Sequence, residues 1–202
     1  MTTPSVVIFD LGKVLVDFDY AKAGRHIATY GKVLPEVVRQ FIDHSPLLVR
    51  YETGHISTEE FFNEVRTATH FQGTSAEFAL AFADIFTPMD EMIALHAALR
   101  QQGHLTFILS NTNELAVAHI RRNYPFFADF DGYIFSHEVG AMKPDPKIYE
   151  ATERLAGRRG ADLVFIDDRV ENVTAAADRG WHAILHESPE KTQAALVKLE
   201  LL

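Results

Sequence analysis

Val6-Val7-Ile8-Phe9-Asp10-Leu11-Gly12-Lys13 is the stretch on which the fold turns. Its first four residues form an uninterrupted apolar, β-branched run, which reads as a buried strand. The run stops at a carboxylate, and a glycine two residues on lets backbone approach a ligand. Four further short apolar runs, residues 105–109, 133–135, 163–166 and 183–185, repeat the strand pattern. Helical patterns with start signals lie between them. Asp90 precedes a run with Ile93, Leu95 and Leu99 that stops near Gly103. Asp145-Pro146 opens a helix that ends near Gly157, and Ser188-Pro189 opens the last one. Strands alternating with helices predict βαβ units and an α/β fold with a mostly parallel sheet.

The gap between the first two runs is too long for one crossover helix. Residues 21–87 carry no clear strand but show helical stretches at 21–30, 35–42, 57–69 and 76–86. Ser57 and Glu60 have the spacing of a capping box. The phenylalanines at 78, 82 and 86 have helical spacing and read as packing residues. This segment is expected to be a helical insert over the carboxyl end of the sheet, giving a core of residues 1–16 and 88–202 and a cap of residues 17–87.

Composition narrows the function. The chain has 202 residues, 47% hydrophobic and 23% charged, which is ordinary for a globular domain with a real core. A net charge of −9 argues against a nucleic-acid surface. There is no cysteine, which removes disulfides, thiolate nucleophiles and thiolate metal sites and suits a reducing cytoplasm. No signal pattern opens the sequence, and no apolar run approaches about 18 residues. A cytoplasmic protein without membrane contact, monomer or homodimer, is the expectation. The ten histidines show no paired-ligand spacing. His96 reads as packed, and His137 as a loop residue.

Asp10, Ser110, Lys143 and Asp167-Asp168 all follow strand-like runs or open the next helix. In open parallel sheets ligands bind beyond the carboxyl ends of the strands. Taken singly, each residue has an ordinary structural reading as a turn, an N-cap or a solvated loop charge. Their joint placement at one sheet edge is what points to a site.

Four motifs in order, VVIFDLGKV, ILSN, AMKPD and FIDDRVEN, resemble the haloacid dehalogenase-like hydrolase superfamily. The resemblance spans nearly the whole chain and implies a Rossmann-like, three-layer core with a small helical cap inserted after the first strand. The phrases DLGKVLVDFD, YETGHIS, LSNTN and GAMKPDPKIYE resemble a narrower branch of sugar-phosphate phosphatases that includes bacterial glucose-1-phosphate phosphatase. The resemblance implies Mg²⁺-dependent hydrolysis of a small phosphorylated metabolite through an aspartyl-phosphate. It makes Asp10 nucleophile and metal ligand, and Gly12 a carbonyl ligand. Asp168 would be the second carboxylate, with Asp167 nearby through water. Ser110 and the N–H of Asn111 would hold phosphate oxygens, Lys143 would neutralise charge, and Asn172 would brace the last motif.

One position departs from the pattern. Most phosphatases of this superfamily carry an aspartate two residues after the nucleophile, as acid and then base. Here that residue is Gly12, which can do neither. General acid–base help is worth roughly 10²–10⁴-fold. Asp17, Asp19, Glu52 and His55 are the nearby candidates, and each reads first as a hinge or solvated turn residue. The departure leaves two alternatives to a phosphatase: an L-2-haloacid dehalogenase, or a catalytically weak binding or regulatory member. Against the dehalogenase stands the crowding of Asp10 with Asp167-Asp168, which is costly without a cation.

Overall fold

The computed structural model of the chain describes residues 6–31, 33–43 and 45–202. From β1 (Val6–Phe9) the chain enters β2 (Val16–Phe18). It then passes through α1 (Tyr20–Ala28), α2 (Pro35–Ile42), α3 (Pro46–Glu52), α4 (Thr58–Thr69) and α5 (Ser75–Ala83), and returns along β3 (Phe86–Pro88). Helix and strand alternate thereafter: α6 (Asp90–Gln101), β4 (Leu105–Ser110), α7 (Glu114–Asn123), β5 (Gly132–Phe135), α8 (Ser136–Val139) and α9 (Pro146–Ala156). The last elements are β6 (Leu163–Asp167), α10 (Val170–Asp178), β7 (His182–Leu185) and α11 (Pro189–Lys198).

Five strands form a parallel sheet in the order β5-β4-β1-β6-β7. The chain runs outward from β1 through β4 to β5, then crosses to β6 and β7 on the other side. So β1 stands where the order reverses, the place where such sheets bind ligands. Register does the rest. Phe9 is level with Ile108 of β4 and Ile166 of β6. Asp10 and Asp167 therefore leave the sheet side by side at its carboxyl edge, with Ser110 one residue beyond that level on β4. The period-2 alternation of β1 feeds two cores. Val7 and Phe9 pack with Met92, Leu95 and Leu99 of α6 and Ile120 of α7. Val6 and Ile8 pack with Ile148 and Tyr149 of α9, Phe165 and Trp181. Helices cover both faces, giving three layers and the expected Rossmann-like α/β core.

Helices α1 to α5 build a third core of their own around Ile27, Ile42, Leu48, Phe61, Val65, Phe78 and Phe82. Phe61 stacks on Tyr51 at 4.4 Å between ring centres, and Phe78 on Phe82 at 5.7 Å. Both capping boxes in this segment are complete, Ser57 with Glu60 and Thr74 with Glu77. An antiparallel ribbon joins the helices to the sheet, with Val16 opposite Pro88, Asp17 opposite Thr87 and Phe18 opposite Phe86.

Two expectations for this segment need correction. Helix α5 stops at Ala83, and Phe86 lies in β3 rather than on a helix. Three-residue strands whose partners lie some seventy residues apart leave no periodic signal. Helix α3 had a signal that was passed over: Ser45 accepts from the Leu48 N–H, with proline at the first helical position. His96 is packed as expected, stacked on Phe130 at 3.9 Å with Nε2 3.0 Å from the Thr106 hydroxyl. His137 lies on α8 rather than in a loop. No helix among the described residues is long and apolar enough to cross a membrane.

Candidate active site

Lys143 is the centre of the edge. Its side chain is 1% exposed, and its ammonium sits 2.8 Å from Asp10 Oδ1, 2.7 Å from Asp167 Oδ2 and 2.9 Å from the Leu109 carbonyl oxygen. Three acceptors match its three protons. Burial opposes its charge, but Asp10 and Asp167 outweigh burial and hold its pKa above the ordinary lysine value. The Asn111 side chain fixes the backbone of the lysine. Its Oδ1 accepts from the Lys143 N–H at 2.7 Å, and its Nδ2 donates to the Lys143 carbonyl at 3.0 Å.

Asp167 is fully buried and committed on both oxygens. Asn172 Nδ2 reaches them at 3.0 and 3.1 Å, the Arg169 N–H adds a bond of 2.8 Å to Oδ1, and Lys143 takes Oδ2. Burial would raise its pKa; the Lys143 charge and these donors hold it below the usual carboxylate value. Asp10 differs. Its Oδ1 accepts from the Leu11 N–H at 2.7 Å and from Lys143. Its Oδ2 has no hydrogen bond among the described residues, yet none of those residues holds a side-chain oxygen that is both buried and unpartnered. That oxygen therefore faces open space. Burial pushes the pKa of Asp10 to about 8, with Lys143 pulling down and the Asp167 charge pushing up. Burial and the same neighbour raise Asp168.

Asp10, Gly12, Ser110, Asn111, Lys143 and Asp168 line one cavity of about 390 Å³; Asp167 lies beneath it. The Ser110 hydroxyl has only a long contact, 3.5 Å, to the Asn111 carbonyl. It is thus available to a ligand. Three larger hollows, of about 700, 710 and 460 Å³, touch none of these residues. Asn172, read from the sequence as a brace, lines the same cavity, so seven of the residues named for the site share it and Asp167 does not.

Gly12 has a local cause. A Cβ there would meet the Phe18 ring at 2.9 Å. A side chain at this position would have to displace the Phe18 ring. Of the substitutes, Asp17 is 59% exposed and paired with Lys13, whose contact holds its pKa down. Asp19 caps α1 through the Ala21 N–H. His55 is exposed, with Nδ1 3.1 Å from the Thr53 hydroxyl. None of the three lines the cavity.

Glu52 does. It is the last residue of α3, not a solvated turn, and its carboxyl lies between the Tyr20 hydroxyl and Asn113 Nδ2, the latter 3.5 Å from Oε1. Tyr20 and Asn113 were missing from the sequence reading. Asn113 was detectable as the N-cap of α7; Tyr20 had no signal. The cap rests on the core beside them. Tyr51 accepts from the Leu115 N–H at 3.3 Å, and Thr58 donates to Glu114. Gly54, at φ 68°, lies so close to the His137 carbonyl that no Cβ fits between them.

Comparison with known proteins agrees with this architecture. The pattern of the haloacid dehalogenase-like hydrolases matches residues 4–180, and the chain belongs to that family. It is 22% identical to D-ribitol-5-phosphate phosphatase of Bacteroides thetaiotaomicron over 90% of this chain and 91% of that protein. It is 26% identical to drimenol cyclase drtB of Aspergillus calidoustus over 96% of its length, but spans only 36% of that longer protein. The fold matches a haloacid dehalogenase family enzyme of Bacteroides thetaiotaomicron, solved with magnesium and inorganic phosphate. That match has a TM-score of 0.79 and 22% identity, covering 91% of this chain and 94% of the other.

Proposed function

We propose that this haloacid dehalogenase-like hydrolase is a Mg²⁺-dependent phosphatase acting on small phosphomonoesters, sugar phosphates in particular, through an aspartyl-phosphate on Asp10. The charge set carries this reading. Asp10, Asp167 and Asp168 each offer an oxygen within 4.8 Å of the others, and Lys143 is the ammonium that pairs with two of them. Fully ionised, three carboxylates against one ammonium would carry an excess of two negative charges, and the raised pKa values of Asp10 and Asp168 reflect burial together with that crowding. Hard oxygen donors carrying that excess fit a divalent cation such as Mg²⁺. Asp10, Asp168 and the Gly12 carbonyl would hold it from the cavity side. Asp167, already saturated, would add charge from beneath and position Lys143. When bound, the cation neutralises phosphate charge and polarises the phosphoryl group.

The protein groups do the remainder. Oδ2 of Asp10 attacks phosphorus while Lys143 and the Leu11 N–H hold Oδ1 still. The phosphorus–oxygen bond to the leaving group breaks, and an aspartyl-phosphate forms. The Ser110 hydroxyl and the Asn111 N–H hold phosphate oxygens. Water then attacks the phosphorus and frees Asp10. Sugar phosphates are favoured by the cavity size and by its mixed wall of Phe18, Leu48 and Phe86 beside Tyr20, Glu52 and Asn113. The ribitol-5-phosphate phosphatase among the relatives points the same way.

A dehalogenase would use Asp10, Ser110 and Lys143 without metal and leave the acidic cluster uncompensated. The deciding experiment is phosphate release from p-nitrophenyl phosphate with and without Mg²⁺, wild type against Asp10→Asn. Mg²⁺-dependent turnover lost in the variant is expected. Metal-independent halide release from 2-chloropropionate, without phosphatase activity, would overturn the reading. A folded protein inert on a broad phosphate panel would favour a binding role.

A further inference from the structure

We propose that Glu52, delivered by the cap, is the proton donor and acceptor that the core lacks at position 12. The inference rests on the phosphatase reading above and names the group that completes it. Three observations converge. First, position 12 is a glycine and supplies no acid, and the Phe18 ring lies 2.9 Å from where its Cβ would be. Second, of the four candidates Asp17, Asp19, Glu52 and His55, Glu52 alone lines the cavity with Asp10. Third, Glu52 is held there by partners from two other elements. Tyr20 at the head of α1 and Asn113 at the head of α7 both hydrogen-bond to its carboxyl. Asn113 lies three residues beyond Ser110 and two beyond Asn111, the groups assigned to the phosphate.

The chemistry suits the position. Tyr20 and Asn113 hydrogen-bond to Glu52 and Tyr51 lies on its own helix; the cations that share the cavity wall are Lys13, Lys143 and Arg169. Burial raises its pKa to about 8, while the two hydrogen bonds pull modestly the other way. At neutral pH the carboxyl holds its proton. In the first step Asp10 Oδ2 bonds to phosphorus, the ester oxygen leaves, and that oxygen takes the Glu52 proton. In the second step the Glu52 carboxylate takes a proton from the attacking water, whose oxygen bonds to phosphorus as the aspartyl–phosphorus bond breaks. Glu52 ends protonated and Asp10 ends free, so one turnover restores both groups.

The test is a leaving-group series on the full chain with Mg²⁺: p-nitrophenyl, phenyl and benzyl phosphate, wild type against Glu52→Gln. The variant should lose less than about 3-fold in kcat/KM on the nitrophenyl ester, rising to roughly 10²–10⁴-fold on benzyl phosphate. With p-nitrophenyl phosphate it should release about one equivalent of nitrophenolate and then slow, because the second step has lost its base. Tyr20→Phe guards against a folding failure. It removes a donor to the carboxylate, so the basic limb of kcat/KM on benzyl phosphate should move from near pH 8 to higher pH. A uniform loss across the series, no loss, or an unmoved limb in Tyr20→Phe would refute the role of Glu52. A wild type inert on all three esters would refute the phosphatase reading itself, and this inference with it.

Discussion

Replacing Lys143 by methionine keeps the stem and deletes the ammonium. Three acceptors then lose their donor at once: Asp10 Oδ1, Asp167 Oδ2 and the Leu109 carbonyl. Asp167 suffers most, because its side chain is 0% exposed and water cannot replace the lysine. Removing one partner of a buried ion pair costs about 3–5 kcal/mol. For a domain of this size that corresponds to a fall of roughly 6–20 °C in Tm. The expected loss can be traced to the stranded charge by a double-variant cycle. Asp167→Asn in the Lys143→Met background should recover stability, although Asp167→Asn alone destabilises the wild type. The coupling between the two sites should amount to about 1–3 kcal/mol. Thermal melts followed by circular dichroism at pH 7 in EDTA measure all four proteins. A fall of less than about 2 °C in Lys143→Met, or strictly additive effects, would refute the buried network as described.

Three further outcomes follow from other parts of the molecule. Gly12→Asp should fail to raise phosphatase activity and should lower stability by about 1–3 kcal/mol, read from its Tm, because its Cβ meets the Phe18 ring at 2.9 Å; an unchanged Tm would contradict that contact. Gly54→Val should lower kcat/KM at least 10-fold, since a side chain at φ 68° would collide with the His137 carbonyl and hold the cap off the core; unchanged kinetics would contradict that seating. His96 has a pKa lowered to about 4 by burial, aided by Arg100. The unfolded chain thus binds the proton first, and stability should fall as pH drops from about 6.5 to 4; His96→Phe should flatten that limb in pH-dependent melts.

The parallel core was legible because each strand is a run of β-branched or aromatic residues bounded by helix caps. The edge residues were legible because they sit where such runs end. Register made the difference between a plausible set and a site: Phe9 level with Ile108 and Ile166 is a non-local fact that no single run reveals. The ribbon of β2 and β3 was invisible for the same reason, being three residues long on each side. Asp167 and Asp168 are adjacent and chemically identical, and one residue of difference separates a buried carboxylate held by four hydrogen bonds from one at the cavity. Glu52 was misjudged because the turn YETGHIS hides the end of α3. Recognising Ser45-Pro46 as a helix start would have placed Glu52 on a helix.

The location of the acid has a consequence for the whole cycle. An acid two residues after the nucleophile would sit in the core and be present whether or not the cap is seated. Glu52 belongs to α3, and its place in the cavity depends on contacts that cross from cap to core: Asn113 with Glu52, Leu115 with Tyr51, Glu114 with Thr58 and Gly54 against His137. Lifting the cap would remove the proton donor together with the wall of the cavity. Hydrolysis of esters with poor leaving groups would then require the seated cap, while activated aryl esters would not. The Gly54→Val variant discriminates the two. Its loss should be larger on benzyl phosphate than on p-nitrophenyl phosphate, matching the pattern of Glu52→Gln. An equal loss on both would separate cap seating from proton delivery.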